Sequence, residues 1–269
     1  MRYHSLFWFL ILGLFAIPNL QGQSDSELVQ VIPPAIRRAE PPSPNATAVE
    51  LENQADEFRD KKDFLDALDY FHAAIAKEPK SARLYNKAGI TQLMMQHYRD
   101  AKKNFDRAVK LDQQFSDAYN NLAVNEYEQK RYEKSIRLYE KAISLKPDAA
   151  SYYANMGAAY YSKKEWEKAG DAYGTALQLD PAIFERTSHT GVAAQLPPSI
   201  EERAHFDYML AKLFAKQKDS DRSLQFLRRA MEEGYKQIND VYKDPDFEGL
   251  RSDVRFTQLM AERPPGIPE

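Results

Sequence analysis

The chain has 269 residues, with 37 lysines and arginines against 40 aspartates and glutamates, a formal net charge of −3 and no cysteine. A balance this even excludes the strongly basic surface that would steer the protein to nucleic acid or anionic lipid, and the missing thiol excludes disulfides and a lipid anchor at an N-terminal cysteine. With 43% hydrophobic residues the chain is long enough to bury a large core without covalent staples.

In chain order, residues 1–22 carry Arg2, an apolar run from Ser5 to Pro18 and a polar stretch from Gln21. This pattern predicts a secretory signal peptide and an exported protein, periplasmic or extracellular; the alternative is an uncleaved segment anchoring the chain in the inner membrane. Cleavage removes Arg2 and leaves a formal charge of −3 − 1 = −4, with no membrane span afterwards. Residues 23–47 hold Pro33, Pro34, Pro41, Pro42 and Pro44 and predict an extended, disordered linker. Thr47 and Glu50 then have the spacing of a capping box, which opens a first helix.

From here similar residues return every 34 positions. Ala55, Gly89, Ala123 and Gly157 share one register, Ala67, Ala101, Ser135 and Ala169 a second, Phe71, Phe105, Tyr139 and Tyr173 a third, and Ala74, Ala108, Ala142 and Ala176 a fourth. Pro79, Pro147 and Pro181 close three of the four units, 48–81, 82–115, 116–149 and 150–183. Such a period marks a solenoid, in which one unit cannot bury its apolar face alone. In the third unit Tyr119, Leu122, Ala123 and Tyr127 share one helix, and Tyr132, Ile136, Tyr139 and Ile143 fall at the i, i+4, i+7, i+11 spacing of a second, with a short turn near Lys130. The small residues mark where paired helices approach most closely, and the aromatic fills the space between units.

Residues 184–203 interrupt the register as an insert loop, but Ser199 and Glu202 make a second capping-box spacing, so a long helix is predicted from near Ile200. A fifth, degenerate unit spans 204–237, with Leu210, Ala211, Phe214, Ser223, Leu227 and Ala230 in place and Gly234 as its stop. Residues 238–269 predict short capping helices and a tail, with Phe247, Leu250, Phe256 and Leu259 facing inward to cover the last apolar face.

Motifs of chemistry are absent. Asp244, Asp246 and Glu248 imitate half of a calcium loop, but Arg255 stands where the bidentate glutamate belongs. His72, His97, His189 and His205 have no ligand spacing for a metal, and Asp63, Asp66 and Asp69 read as a wet helix face. No nucleophile elbow, phosphate loop or dinucleotide fingerprint occurs, so no catalytic residue, metal or cofactor is predicted.

The units resemble the tetratricopeptide repeat. The third carries Tyr119, Asn121, Leu122, Ala123, Tyr132, Ser135, Tyr139, Ala142 and Pro147; the fourth carries Tyr153, Asn155, Met156, Gly157, Tyr160, Trp166, Ala169, Tyr173, Ala176 and Pro181; the second departs with Gln113 where proline is usual. The resemblance covers about two thirds of the chain. It implies an all-α, right-handed α-solenoid of antiparallel helix pairs, about five units with a C-terminal cap, presenting a concave groove lined by the first helix of each pair. The positions that line the groove in the family fall here on Glu52, Asp56 and Asp60, on Asn86, Ile90, Leu93 and Met94, on Asn120, Val124 and Tyr127, and on Ala154, Ala158 and Tyr161. In the fifth unit they fall on His205, Tyr208, Lys212 and Lys216, so the groove is expected to run from acidic to basic and to grip an extended peptide or a partner helix with amides and exposed tyrosines. The family's clamp for a C-terminal carboxylate is not reproduced, since Glu52 and Asp56 occupy its cationic end. The expected role is a non-enzymatic scaffold of the cell envelope that binds a protein or peptide; the alternative is an adaptor that regulates an envelope enzyme such as a protease or glycosyltransferase. The oligomeric state is not readable.

Overall fold

The computed structural model describes residues 39–184 and 199–263. The predicted signal peptide, most of the predicted linker and nearly all of the insert lie outside these residues. Helices α1 (Ala48–Asp60) and α2 (Phe64–Lys77), α3 (Ala82–Met94) and α4 (Tyr98–Leu111), α5 (Ser116–Glu128) and α6 (Tyr132–Leu145), and α7 (Ala150–Ser162) and α8 (Trp166–Leu179) form four hairpins. A fifth hairpin joins α9 (Ile200–Lys216) and α10 (Ser220–Glu232); short 3-10 turns and α11 (Val254–Glu262) follow. Within each hairpin the two helices pack along their length, and in the first four units the second helix also packs on the first helix of the next unit, which is the connectivity of a solenoid.

Local chemistry places the helix ends. Thr47 Oγ1 accepts from Glu50 N at 3.2 Å while Glu50 Oε2 accepts from Thr47 N at 2.8 Å, and Ser199 and Glu202 repeat this reciprocal cap at the start of α9. The helix therefore begins at Ile200, taking the last residues of the stretch assigned to the insert. Every turn inside a hairpin has one solution: Lys62, Gln96, Lys130, Lys164 and Lys218, fifteenth in their units, adopt φ of 59–64°. The next amide reaches back to the helix, as Arg131 N does to the Glu126 carbonyl at 2.9 Å and Glu165 N to that of Tyr160 at 3.0 Å, so the freed carbonyls are satisfied without a glycine.

The core follows the repeated small and aromatic positions. Ala55, Ala67, Phe71, Ala74, Ala101, Phe105, Ala123, Tyr139 and Ala169 have no exposed surface. At the eighth position, where the other three units carry alanine, Gly89 and Gly157 are required by closer approach: a Cβ on either would stand 2.6 Å from the ring of Phe105 or Tyr173.

One finding departs from the sequence expectations. Residues 39–46, part of the stretch predicted as a disordered linker, are docked on α2: Ala39 N donates to Asp66 Oδ1 at 3.0 Å, Tyr70 Oη to the Glu40 carbonyl at 3.0 Å and Lys77 Nζ to the Pro44 carbonyl at 2.6 Å. Prolines prevent this segment from forming a helix of its own, yet its carbonyls remain available to donors on α2. In the fifth unit a cation-on-ring contact is replaced by an ion pair. Arg107 lies over Tyr85 and Lys141 over Tyr119, at fourth and twenty-sixth positions of their units, whereas Asp207 and Arg229 hold those positions in the last. Asp207 is 1% exposed; Arg229 Nε stands 3.0 Å from Oδ2 but is not aligned as a donor, and among the described residues neither oxygen has a hydrogen-bond partner. Burial pushes this carboxyl up to about 7, with Arg229 opposing and Glu233 reinforcing the rise.

Candidate functional site

The first helices α1, α3, α5, α7 and α9 form one face of the stack, and most of the residues assigned to a groove there are consumed by stacking. Asn121 Nδ2 donates to Asn86 Oδ1 at 3.0 Å, Asn120 Nδ2 to Asn121 Oδ1 at 3.2 Å, and Asn155 Nδ2 to Asn120 Oδ1 at 3.0 Å. This amide ladder runs through α3, α5 and α7 with Asn86 and Asn120 buried, so the amides expected to meet a partner instead hold successive units in register. Val124 is fully buried, and Leu93 and Ala158 nearly so.

The expected charge gradient is also neutralised from within. Glu52 pairs with Arg83 and with Lys87 at 2.6 Å, and Asp56 with Lys87 and with Arg59 at 2.7 Å, so the acidic end carries its own counter-ions, one from its own helix and two from the next unit. At the other end Lys212 meets Asp244 at 2.6 Å and Asp246 at 3.2 Å, and Lys216 meets Asp246 at 3.2 Å. These are the aspartates of the calcium-loop look-alike. They belong to the cap, which folds over the face of α9 and stacks Tyr235 on Tyr208 at 4.3 Å between ring centres, with Phe247 at 5.6 Å on the same ring. Tyr208 is therefore buried, and the fifth unit contributes to the capped end of the solenoid rather than to an open groove.

What stays open lies along the middle of the face. Met94 is 47% exposed; Ile90 and Tyr127 are half-buried, the Tyr127 hydroxyl lying 3.1 Å from Ser162 Oγ and its ring against Tyr132 at 5.5 Å. Beside them Glu128, in the last turn of α5, is half-buried, and among the described residues no cation pairs with it. Burial raises its pKa, and its charge is felt by the hydroxyls of Tyr98, Tyr127 and Tyr139.

Further along, Tyr161 is buried rather than exposed, since its hydroxyl donates to the Glu202 carbonyl at 2.6 Å and meets His205 Nδ1 at 3.0 Å, tying α7 to α9. Its ring packs edge-on to Trp166 at 4.8 Å, and Trp166 meets His205 at 4.5 Å. These rings and Tyr235 line a cavity of about 370 Å3 with Lys164 and Lys236 at its rim. Sequence reasoning missed Glu128, Trp166 and Tyr235 as site residues. Glu128 holds the thirteenth position of its unit, as Met94 and Lys216 do in theirs, so the repeat itself offered the signal for it; Trp166 stands at a position with no assigned groove role, and Tyr235 enters only through the fold of the segment after Gly234.

A TPR repeat model matches residues 125–164, and a tetratricopeptide repeat model matches residues 150–183. The fold is also that of solved structures. PilF of Pseudomonas aeruginosa is 16% identical, with 80% of this chain and 97% of that chain covered at a TM-score of 0.54. MamA of Desulfovibrio magneticus RS-1, from its residue 41 onward, is 19% identical, with 71% of this chain and 97% of that chain covered at a TM-score of 0.50. No curated protein sequence matches the chain. The repeat models thus match residues 125–183, from the end of α5 through α8, and the stack of antiparallel hairpins is an all-α solenoid of the same fold as these structures.

Proposed function

We propose that the protein is a non-enzymatic protein–protein interaction scaffold that holds an extended peptide or a partner helix along its first-helix face, in the cell envelope. The observation that carries this reading is the difference between what the face uses internally and what it leaves open. Amides and most charges on the face are satisfied within the stack, while Met94, Ile90 and Tyr127 remain as apolar and aromatic surface, with Glu128 beside Tyr127 and no cation paired to it among the described residues; Trp166, the first residue of α8, adds its ring where it packs on Tyr161 and His205. Aromatic and methionine side chains beside a rim of charge are the composition of binding surfaces. A half-buried carboxylate without a counter-ion favours a partner that brings a lysine or arginine to it, because the partner's charge relieves a desolvation cost the fold already bears. Export is supported by the apolar run Ser5–Pro18 behind Arg2.

The test is capture of partners from envelope fractions with the wild-type chain and with Met94→Arg. Met94 is open to solvent, so the variant keeps its melting temperature while a cation set on this surface repels a basic partner and loses at least about tenfold in capture. Equal capture by both chains would remove this face from the binding surface.

A further inference from the structure

The cavity between the ends of α7, α8 and α9 and the turn after α10 has an internal logic that the stack does not need. Tyr161 has one hydroxyl proton, and at 2.6 Å it is committed to the Glu202 carbonyl. The 3.0 Å contact with His205 must therefore be made by an N–H on Nδ1 donating to the tyrosine oxygen. Burial lowers the histidine pKa and keeps the ring neutral, so Nε2 carries a lone pair and no proton. Among the described residues Nε2 has no hydrogen-bond partner, which leaves a fixed acceptor beside the cavity that His205 lines. Next to it Trp166 keeps 39% of its surface exposed while its neighbours Tyr161 and His205 hold the indole in place. At the rim, Lys164 is exposed and among the described residues has no carboxylate partner, and Lys236 meets exposed Glu201 at 3.5 Å.

We propose that this cavity is a subsite for an aromatic residue that carries its own donor, tyrosine or tryptophan, beside a carboxylate, as at the end or in an acidic stretch of a peptide. The ring of the ligand lies against the open surface of Trp166, its O–H or N–H donates to His205 Nε2, and its carboxylate faces Lys164. The assignment rests on the reading that the first-helix face holds a peptide and deepens it: a partner cation at Glu128 and an aromatic acid at Trp166 would fix the direction in which the chain lies.

The test uses the full-length protein and N-acetyl-L-tyrosine as probe. Trp8 and Trp166 are the only tryptophans, so proton–nitrogen spectra show two indole N–H signals, separated by the Trp166→Phe variant. The expected result is a saturable shift of the Trp166 signal alone. N-acetyl-L-tyrosinamide, which lacks the carboxylate, should bind about threefold more weakly, and N-acetyl-L-phenylalanine, which lacks the donor, about fivefold more weakly. In Lys164→Met, altered only at an exposed side chain, the acid and the amide should bind alike, and in His205→Phe the tyrosine and phenylalanine probes should do so. A Trp166 signal that stays put, or that moves equally with N-acetyl-L-leucine, overturns the proposal, as do unchanged preferences in both variants. Capture through Met94 reads a different part of the face, so a silent Trp166 beside intact Met94-dependent capture sinks this subsite and leaves the scaffold reading standing.

Discussion

Asp207 shows how a single residue departs from the repeat and what that costs. In the second and third units the equivalent tyrosines sit under a cation, and neither partner must leave water completely. Asp207 is instead a buried carboxyl facing Arg229, Arg203 and Glu233, with a pKa pushed from the ordinary carboxylate range to about 7. An acid whose pKa rises on folding holds its proton longer in the folded state than in the unfolded one. Its contribution to stability is complete below about pH 4 and is lost as pH rises toward about 7, a change on the order of 4 kcal/mol for a group this buried. We therefore expect Asp207→Asn to melt higher than the wild type at pH 8, to match it near pH 4, and to flatten the pH dependence between those limits. Urea unfolding at several pH values checks this; parallel curves for the two proteins across pH 4–8 would contradict it. The partner choice here was hidden from sequence reasoning because only the structure pairs residue 207 with residue 229.

Elements show where sequence reasoning reaches and where it stops. The hairpins of the regular units follow from the recurrence of Ala67, Phe71 and Ala74 and their counterparts, because a buried helix stripe leaves its period in the sequence. The long α9 was legible through Ser199 and Glu202, whose chemistry is local. The cap was legible as an inward-facing cluster, and Phe247, Leu250, Phe256 and Leu259 are indeed buried. Its path across α9 was not, since the Lys212 and Lys216 ion pairs with Asp244 and Asp246 are contacts between segments that no periodicity links. For the same reason the open groove was overdrawn: a repeat position tells which helix face a residue occupies, not whether the neighbouring unit covers it. Phe247 is fully buried at this junction. Phe247→Ala should cost about 3–5 kcal/mol in urea unfolding and loosen α9–α10 before the earlier units, seen as faster amide exchange confined to residues 200–232. A loss under about 1 kcal/mol would mean that the cap does not seal the stack.

At the scale of the molecule, the solenoid is stabilised by contacts between neighbours, and its unsatisfied chemistry gathers on one layer. The amide ladder and the Glu52, Asp56, Lys212 and Lys216 pairs spend the polar groups of that layer on cohesion. What a partner could use is the open surface at Met94, Ile90, Tyr127 and Glu128 and the exposed ring of Trp166 at the start of α8. The most direct measurement is site-specific photo-crosslinking in the native cell, with a photoreactive residue at Met94 on the first-helix face or at Trp166, which opens α8 and packs on Tyr161 and His205 of the first helices, and at exposed Arg107 or Glu140 within the second helices. The account predicts that the first two positions crosslink to one common partner and the last two do not. Equal crosslinking from both pairs, or crosslinks from Arg107 and Glu140 alone, would contradict it.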